Sequence, residues 1–246
     1  MSAVFETAGR ISWRVAGLSL GTLALGLVGC GSLTPDSSLS AAQIRFVEVS
    51  PGAAEMDFYV NGSGAAYGVG FANFTSYLPA NPGPAGISAT RAGTGQSLVS
   101  MQGTLSGGHQ YTAVVSHHLS NLQERLYQDM DTPAPPGQVA VRILNEVEGA
   151  GTINFYLAPS EVNGTPAGPP SMLAVASGGS SSYVDLPAGT GYTVSATVAG
   201  TSVAVPVSTV SLKAGSGAVR TVVFAGTLQA GGHGVVSFLL NDVDVP

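Results

Sequence analysis

An all-β fold of two tandem Ig-like antiparallel β-sandwiches, after a signal peptide and a flexible tether, follows from three features of this 246-residue sequence. The stretch IRFVEVSPGAAEMDFYVNG, which opens at Ile44, returns in diverged form as VRILNEVEGAGTINFYL from Val141. Only 9% of the residues are charged, Lys occurs once, and Gly (34) and Pro (15) are abundant, a composition poor in long solvated helices and rich in turns. Apolar residues alternate with polar ones in short runs that break at Gly, Pro or Asn, the period of strands with one buried face.

The repeat sets the domain organisation. Arg45 and Arg142 are 97 positions apart, as are Phe58 and Phe155. Ser76-Tyr77-Leu78 recurs as Ser182-Tyr183-Val184, and Ile87-Ser88-Ala89-Thr90 as Val194-Ser195-Ala196-Thr197, with offsets of 106 and 107. The drift places about ten inserted residues in the second copy, within the Pro- and Gly-rich stretch from Pro159 to Pro170, which reads as a surface loop. Two units of this size each bury roughly 60 to 65% of their unfolded surface, enough for two small cores.

The N-terminal stretch from Met1 to Gly29 has the pattern of a secretory signal peptide, with Arg10 and Arg14 ahead of the uncharged run from Val15 to Val28. That run is shorter than the roughly 20 residues a spanning helix needs. It ends in Leu27-Val28-Gly29-Cys30, which resembles the lipobox of bacterial lipoproteins. The resemblance implies cleavage before Cys30, the chain's only Cys, and diacylation of its thiol, so that two acyl chains hold the protein to a membrane. Residues 30–42 then form the lipidated Cys and a tether of small and polar residues, too poor in apolar surface to fold. Gly31 rather than Asp after the Cys favours the outer membrane or cell surface over the inner membrane.

The first sandwich is expected over 43–131, with seven strands and a tight hairpin at Asn61-Gly62. A Pro-rich linker, 132–137, is read as a semi-rigid spacer. The second sandwich covers 138–246. Arg45-Phe46-Val47, Ser50-Pro51, Met56-Asp57-Phe58-Tyr59-Val60-Asn61-Gly62 and Leu186-Pro187-Ala188-Gly189-Thr190-Gly191-Tyr192-Thr193-Val194 together resemble the exported bacterial family called domain of unknown function 4397. The resemblance implies β-sandwiches, often in tandem, that are secreted or lipid-anchored, and it transfers no catalytic residue. Where that family usually has a His after the first strand, this chain has Glu48 and Asn145.

No catalytic constellation is legible, and no cofactor is implied. The formal net charge of −6 gives no basic footprint for nucleic acid. His109, His117, His118 and His233 show no helix-borne metal spacing and read as solvated strand ends. Asp129, Asp131, Asp242 and Asp244 close the last strand of each unit in Asp-x-Asp pairs, weak Ca²⁺ candidates that fall short of six oxygens and read better as soluble strand ends. Asp57 and Tyr59, with counterparts Asn154 and Tyr156, are expected to point outward in a structural pairing with Arg45 and Arg142 across the hairpin. Tyr67, Phe71, Phe74 and Tyr77 form an aromatic cluster that reads as core or as a stacking platform for a sugar.

The expected function is that of a lipid-anchored envelope protein, a non-catalytic binding or structural module with an envelope protein or glycan as partner. A carbohydrate-binding accessory lipoprotein is the alternative. A hydrolase is the second alternative, and a cleft containing paired carboxylates is what would distinguish it.

Overall fold

The computed structural model describes residues 40–160, 171–200, 210–227 and 234–244. The expected signal peptide and Cys30 lie outside the described residues, as do His233 and most of the expected insertion loop. Apart from a 3-10 helix at Leu119–Asn121, the described elements are strands.

The first half contains β1 (Ala42–Val49), β2 (Met56–Val60), β3 (Ser63–Val69), β4 (Asn73–Phe74), β5 (Leu78–Ala80), β6 (Gly83–Arg91), β7 (Ser97–Leu105), β8 (Gln110–Ser116) and β9 (Gln123–Gln128). Two sheets result, one in the order β4-β1-β8-β9 with β5 also on β1, the other β3-β2-β6-β7. The second half contains β10 (Gln138–Glu148), β11 (Thr152–Pro159), β12 (Ser171–Ala176), β13 (Gly179–Ser180), β14 (Val184–Pro187), β15 (Tyr192–Val198), β16 (Val210–Leu212), β17 (Val219–Thr227) and β18 (Val235–Val243). Its sheets run β13-β10-β17-β18, with β14 also on β10, and β12-β11-β15-β16, the same order strand for strand. The fold is all-β. β4 and β5, two and three residues long, are the strands beyond the seven expected, too short to show any period.

Local chemistry explains the main turns. Asn61 (φ 50°) and Gly62 (φ 77°) both adopt the left-handed conformation that a two-residue hairpin between β2 and β3 requires. Otherwise antiparallel, each half holds one parallel pair: β1 runs alongside β8 and β10 alongside β17. Ile44, Phe46, Met56, Phe58 and Ile87 fill the first core, and Val141, Ile143, Phe155, Val194 and Phe224 fill the second. Phe46 stacks on Phe58 at 4.8 Å, and the rings of Phe155 and Phe224 meet at a tilt, 4.6 Å apart.

The alternation along β1 and β10 predicts one buried face, but both faces are buried. Val47, Val49 and Val114 on one sheet pack against Leu144, Val223, Ala225 and Leu240 on the other, so the sandwiches meet sheet to sheet. Each Val and Leu among them contributes roughly 1.5–3 kcal/mol when fully buried. The residues between them, Arg45 and Arg142, are 2% and 3% exposed in this seam rather than at a solvated hairpin. The expected partner Asp57 is elsewhere: it is buried and accepts the backbone N–H groups of Gly68 and Gly93, each at 2.9 Å.

In the seam each arginine reaches a carboxylate of the other half. Arg45 pairs with Asp242, donating also to the Asn241 carbonyl at 2.9 Å and to Thr112 Oγ1 at 2.8 Å. Arg142 pairs with Asp129, donating to the Gln128 carbonyl and to Thr221 Oγ1, each at 2.8 Å. Each carboxylate is held by its own half: Asp129 accepts from Thr112 and Tyr77 at 2.6 Å, and Asp242 from Thr221 at 2.6 Å and Tyr183 at 2.9 Å. Arg45 lies over the Tyr77 ring at 4.6 Å and Arg142 over that of Tyr183 at 5.0 Å. The linker also docks. Ala134 is buried with Ala140 and Val219, its N–H donates to the Gly217 carbonyl at 2.9 Å, and the Met130 N–H donates to Tyr183 Oη at 3.1 Å.

Removing one member of such a pair leaves its partner charged and buried. Asp242→Asn and Arg45→Met are each expected to lower stability by about 3 kcal/mol in urea unfolding, with the double variant losing clearly less than the sum. Additive losses would show that the two groups do not depend on each other.

Candidate functional site

The aromatic residues singled out in the sequence do not form one platform. Tyr67, on β3, is 68% exposed and meets Tyr59 edge-on at 6.3 Å. Phe71 is half-buried in the turn before β4. Phe74 stacks on Phe238 of the second half, ring centroids 5.8 Å apart, and Tyr77 lies against Arg45. No ring pair among the described residues joins two of the four. Phe74 and Tyr77 do come together with Ser76, Leu239 and Asn241 around a cleft of about 300 Å³ at the mouth of the seam. Every guanidinium nitrogen of Arg45, which floors this cleft, already has a partner within the fold.

A larger cleft, about 490 Å³, opens where β3 and β5 leave the edges of the first sandwich unpaired. Ile44, Val60, Leu78 and Ala80 form its apolar lining, and Asn61 and Asn81 its amides. No Asp or Glu lines either cleft among the described residues.

The Asp-x-Asp pairs are split by the fold. Asp129 and Asp242 turn into the seam as described, and both are buried rather than solvated. Asp131 instead pairs with His109 at 2.6 Å, and Asp244 with Arg220 at 2.5 Å. The two carboxylates of each motif therefore serve different partners, and no group of three metal-ligating side chains occurs among the described residues. His118 is exposed, as a solvated strand end should be. His117 is not: just past β8, at φ 70°, it is buried with both ring nitrogens unpartnered. Burial, aided by Arg125, lowers its pKa and favours the neutral ring.

Sequence reasoning missed the buried Glu48 and the half-buried Glu124 beside it. Glu48, Val115 and Glu124 lie in one row across β1, β8 and β9, on the face that lines the first core. Glu48 Oε1 accepts the Ser50 N–H at 2.7 Å, while Oε2 and both oxygens of Glu124 have no partner. Its counterpart Asn145 captures the N–H two residues on in the same way and donates from its amide to the Val175 carbonyl at 2.9 Å. Burial raises the pKa of Glu48 and of Glu124 from 4.5 to about 8. The signal available in the sequence was Glu48 standing where the second copy has Asn145, since a Glu in the place of Asn on a core-facing row implies a neutral carboxyl.

A carboxyl that titrates near 8 in the fold and near 4.5 unfolded contributes stability that is intact below 4.5 and lost as pH rises through 8. The melting temperature is therefore expected to fall progressively from about pH 4.5 to about pH 8 and to level off above it, and Glu48→Gln to flatten that fall by roughly 3 °C or more. Parallel melting profiles for the two proteins would show that Glu48 does not titrate in this range.

Comparison with curated proteins finds no match. Among solved structures, the CBMbc module (family CBM26) of Eubacterium rectale Amy13K, in complex with maltoheptaose, is similar at 10% identity and TM-score 0.26, over 82% of this chain and 97% of that one. The Bacillus anthracis TIE protein is similar at 12% identity and TM-score 0.26, over 82% of this chain and 44% of that one, so this chain spans less than half of it. Residues 42–156, the first sandwich with β10 and part of β11 of the second, match the family described as Domain of unknown function (DUF4397).

Proposed function

We propose that this is a bacterial lipoprotein, anchored to the envelope through Cys30, whose folded part is a non-catalytic binding or structural module. One observation carries the module reading. The strongest electrostatic chemistry among the described residues, the buried Arg45–Asp242 and Arg142–Asp129 pairs, faces inward and holds the two sandwiches together. The arginines and carboxylates are engaged by one another, by threonines and by tyrosines of the same fold, which suits a rigid display platform.

The matched strand order of the two halves supports a second copy of the same domain over 138–246, beyond the residues that the family matches. The signal pattern of residues 1–29, the lone Cys30 and the polar stretch after it support export and lipid anchoring, with Gly31 favouring the outer membrane or cell surface. A carbohydrate-binding role is the second reading, favoured by the half-open cleft beside β3 and by the exposed Tyr67.

Fractionation tests the anchor. The native protein is expected in the membrane fraction and Cys30→Ala in the soluble one. A Cys30→Ala protein that stays with the membrane would overturn the lipid anchor.

A further inference from the structure

We propose that the outer face of the β3-β2-β6-β7 sheet, with the cleft beside it, binds a neutral polysaccharide chain; this rests on the binding-module reading above. Tyr67 has the highest exposure among the large apolar and aromatic side chains of the described residues. Its hydroxyl lies over Gly64, in the space that any side chain at that position would occupy, so the glycine lets the ring lie along the sheet edge. From there a row crosses the sheet: Tyr59 opposite Gly64, then Ser88, then Ser100.

A second row runs beside it. Asn61 Oδ1 accepts the Gly86 N–H at 2.8 Å, and Gln102, cross-strand partner of Gly86, places its amide nitrogen 3.1 Å from where a Cβ on Gly86 would sit. A side-chain-free residue at 86 thus makes room for two amides.

Neither row contains a charged side chain. Asp57, next along β2 on the same face, is buried and engaged by two backbone N–H groups. On a chain with net charge −6 such a face offers nothing to a polycation or a polyanion. Its chemistry is tyrosine rings, hydroxyls and amides. A neutral sugar chain presents the complement, apolar C–H faces that lie on aromatic rings and hydroxyls that exchange hydrogen bonds without desolvating a charge. The first row crosses three strand spacings, about 14 Å, the length of an oligosaccharide of a few rings. Asn61 and Gly64 also line the 490 Å³ cleft, so face and cleft are continuous.

The same outward pair stands on the second half. Tyr156, counterpart of Tyr59, lies opposite Ser195, counterpart of Ser88. Tyr156 alternates with the buried Ile153, Phe155 and Leu157 side of β11 and is not part of the core it covers. An outward tyrosine retained at both places, while Asp57 and Asn154 beside them differ, points to a surface role.

The test is depletion of the detergent-solubilised full chain by insoluble cellulose, β-1,3-glucan and chitin, in low salt and in about 1 M NaCl. Retention on at least one polymer, indifferent to salt, is expected. Tyr67→Ala should weaken it about tenfold, Ser100→Asp should weaken it as well, and Phe74→Ala should leave it unchanged. No retention on any polymer, retention lost in salt, or retention indifferent to Tyr67→Ala would each overturn the proposal. Loss in Phe74→Ala alone would move the site to the seam cleft and overturn it too. Membrane anchoring is read separately by fractionation, so failure here with an intact anchor sinks the glycan face and leaves the lipoprotein reading standing.

Discussion

Two charges taken out of water in a protein seam are stable only when each meets the other with its remaining donors and acceptors satisfied. Arg45 and Arg142 meet that condition reciprocally. Each guanidinium is supplied by one half and neutralised by a carboxylate from the other, and each carboxylate is fixed by a threonine and a tyrosine of its own half. The arrangement has the logic of an isologous interface, in which the same patch occurs on both partners. Here both patches belong to one chain, and the short docked linker keeps them together.

The seam is nevertheless not the same at its two ends. At one end Val49, Ala225 and Leu240 are apolar, and Phe74 stacks on Phe238. At the equivalent positions of the other end stand Glu146, Ser116, Tyr127 and Arg125, and the carboxylate of Glu146 accepts from all three of the others. Gly178 leaves the space beside Arg125 that a side chain would fill. A half paired with a copy of itself would set the Glu146 carboxylate against Phe238 and Leu240, or leave Arg125 facing Val49. Either mismatch buries a charge without a partner, so the divergence of the two ends favours the first half pairing with the second.

Because the two inner sheets face each other, the surfaces left for contact are the outer sheets and the sandwich edges. The inner sheets carry the parallel pairs β1–β8 and β10–β17, buried on both faces as parallel strands generally are. The outer sheets alternate buried and exposed side chains. That division buries the Arg45–Asp242 and Arg142–Asp129 pairs and leaves outside two rows of tyrosine, serine and amide groups that carry no charge, where a neutral ligand loses no ion hydration on binding.

Alternation, turn residues and the internal repeat were sufficient to read the all-β class, the Asn61-Gly62 hairpin and most strands of both halves, because each of these is set by neighbours in sequence. The arginines, the Asp-x-Asp pairs and the aromatic cluster were visible as residues but misread in place. A polar residue on an alternating strand looks the same in sequence whether its face meets water or another sheet. Only the packing of sheet on sheet decided that Arg45 and Asp242, 197 positions apart, share one buried ion pair. The same packing sent Phe74 and Tyr77 to the seam and left Tyr67 on the outer face, a partition that rests on contacts between distant strands and that no local pattern encodes.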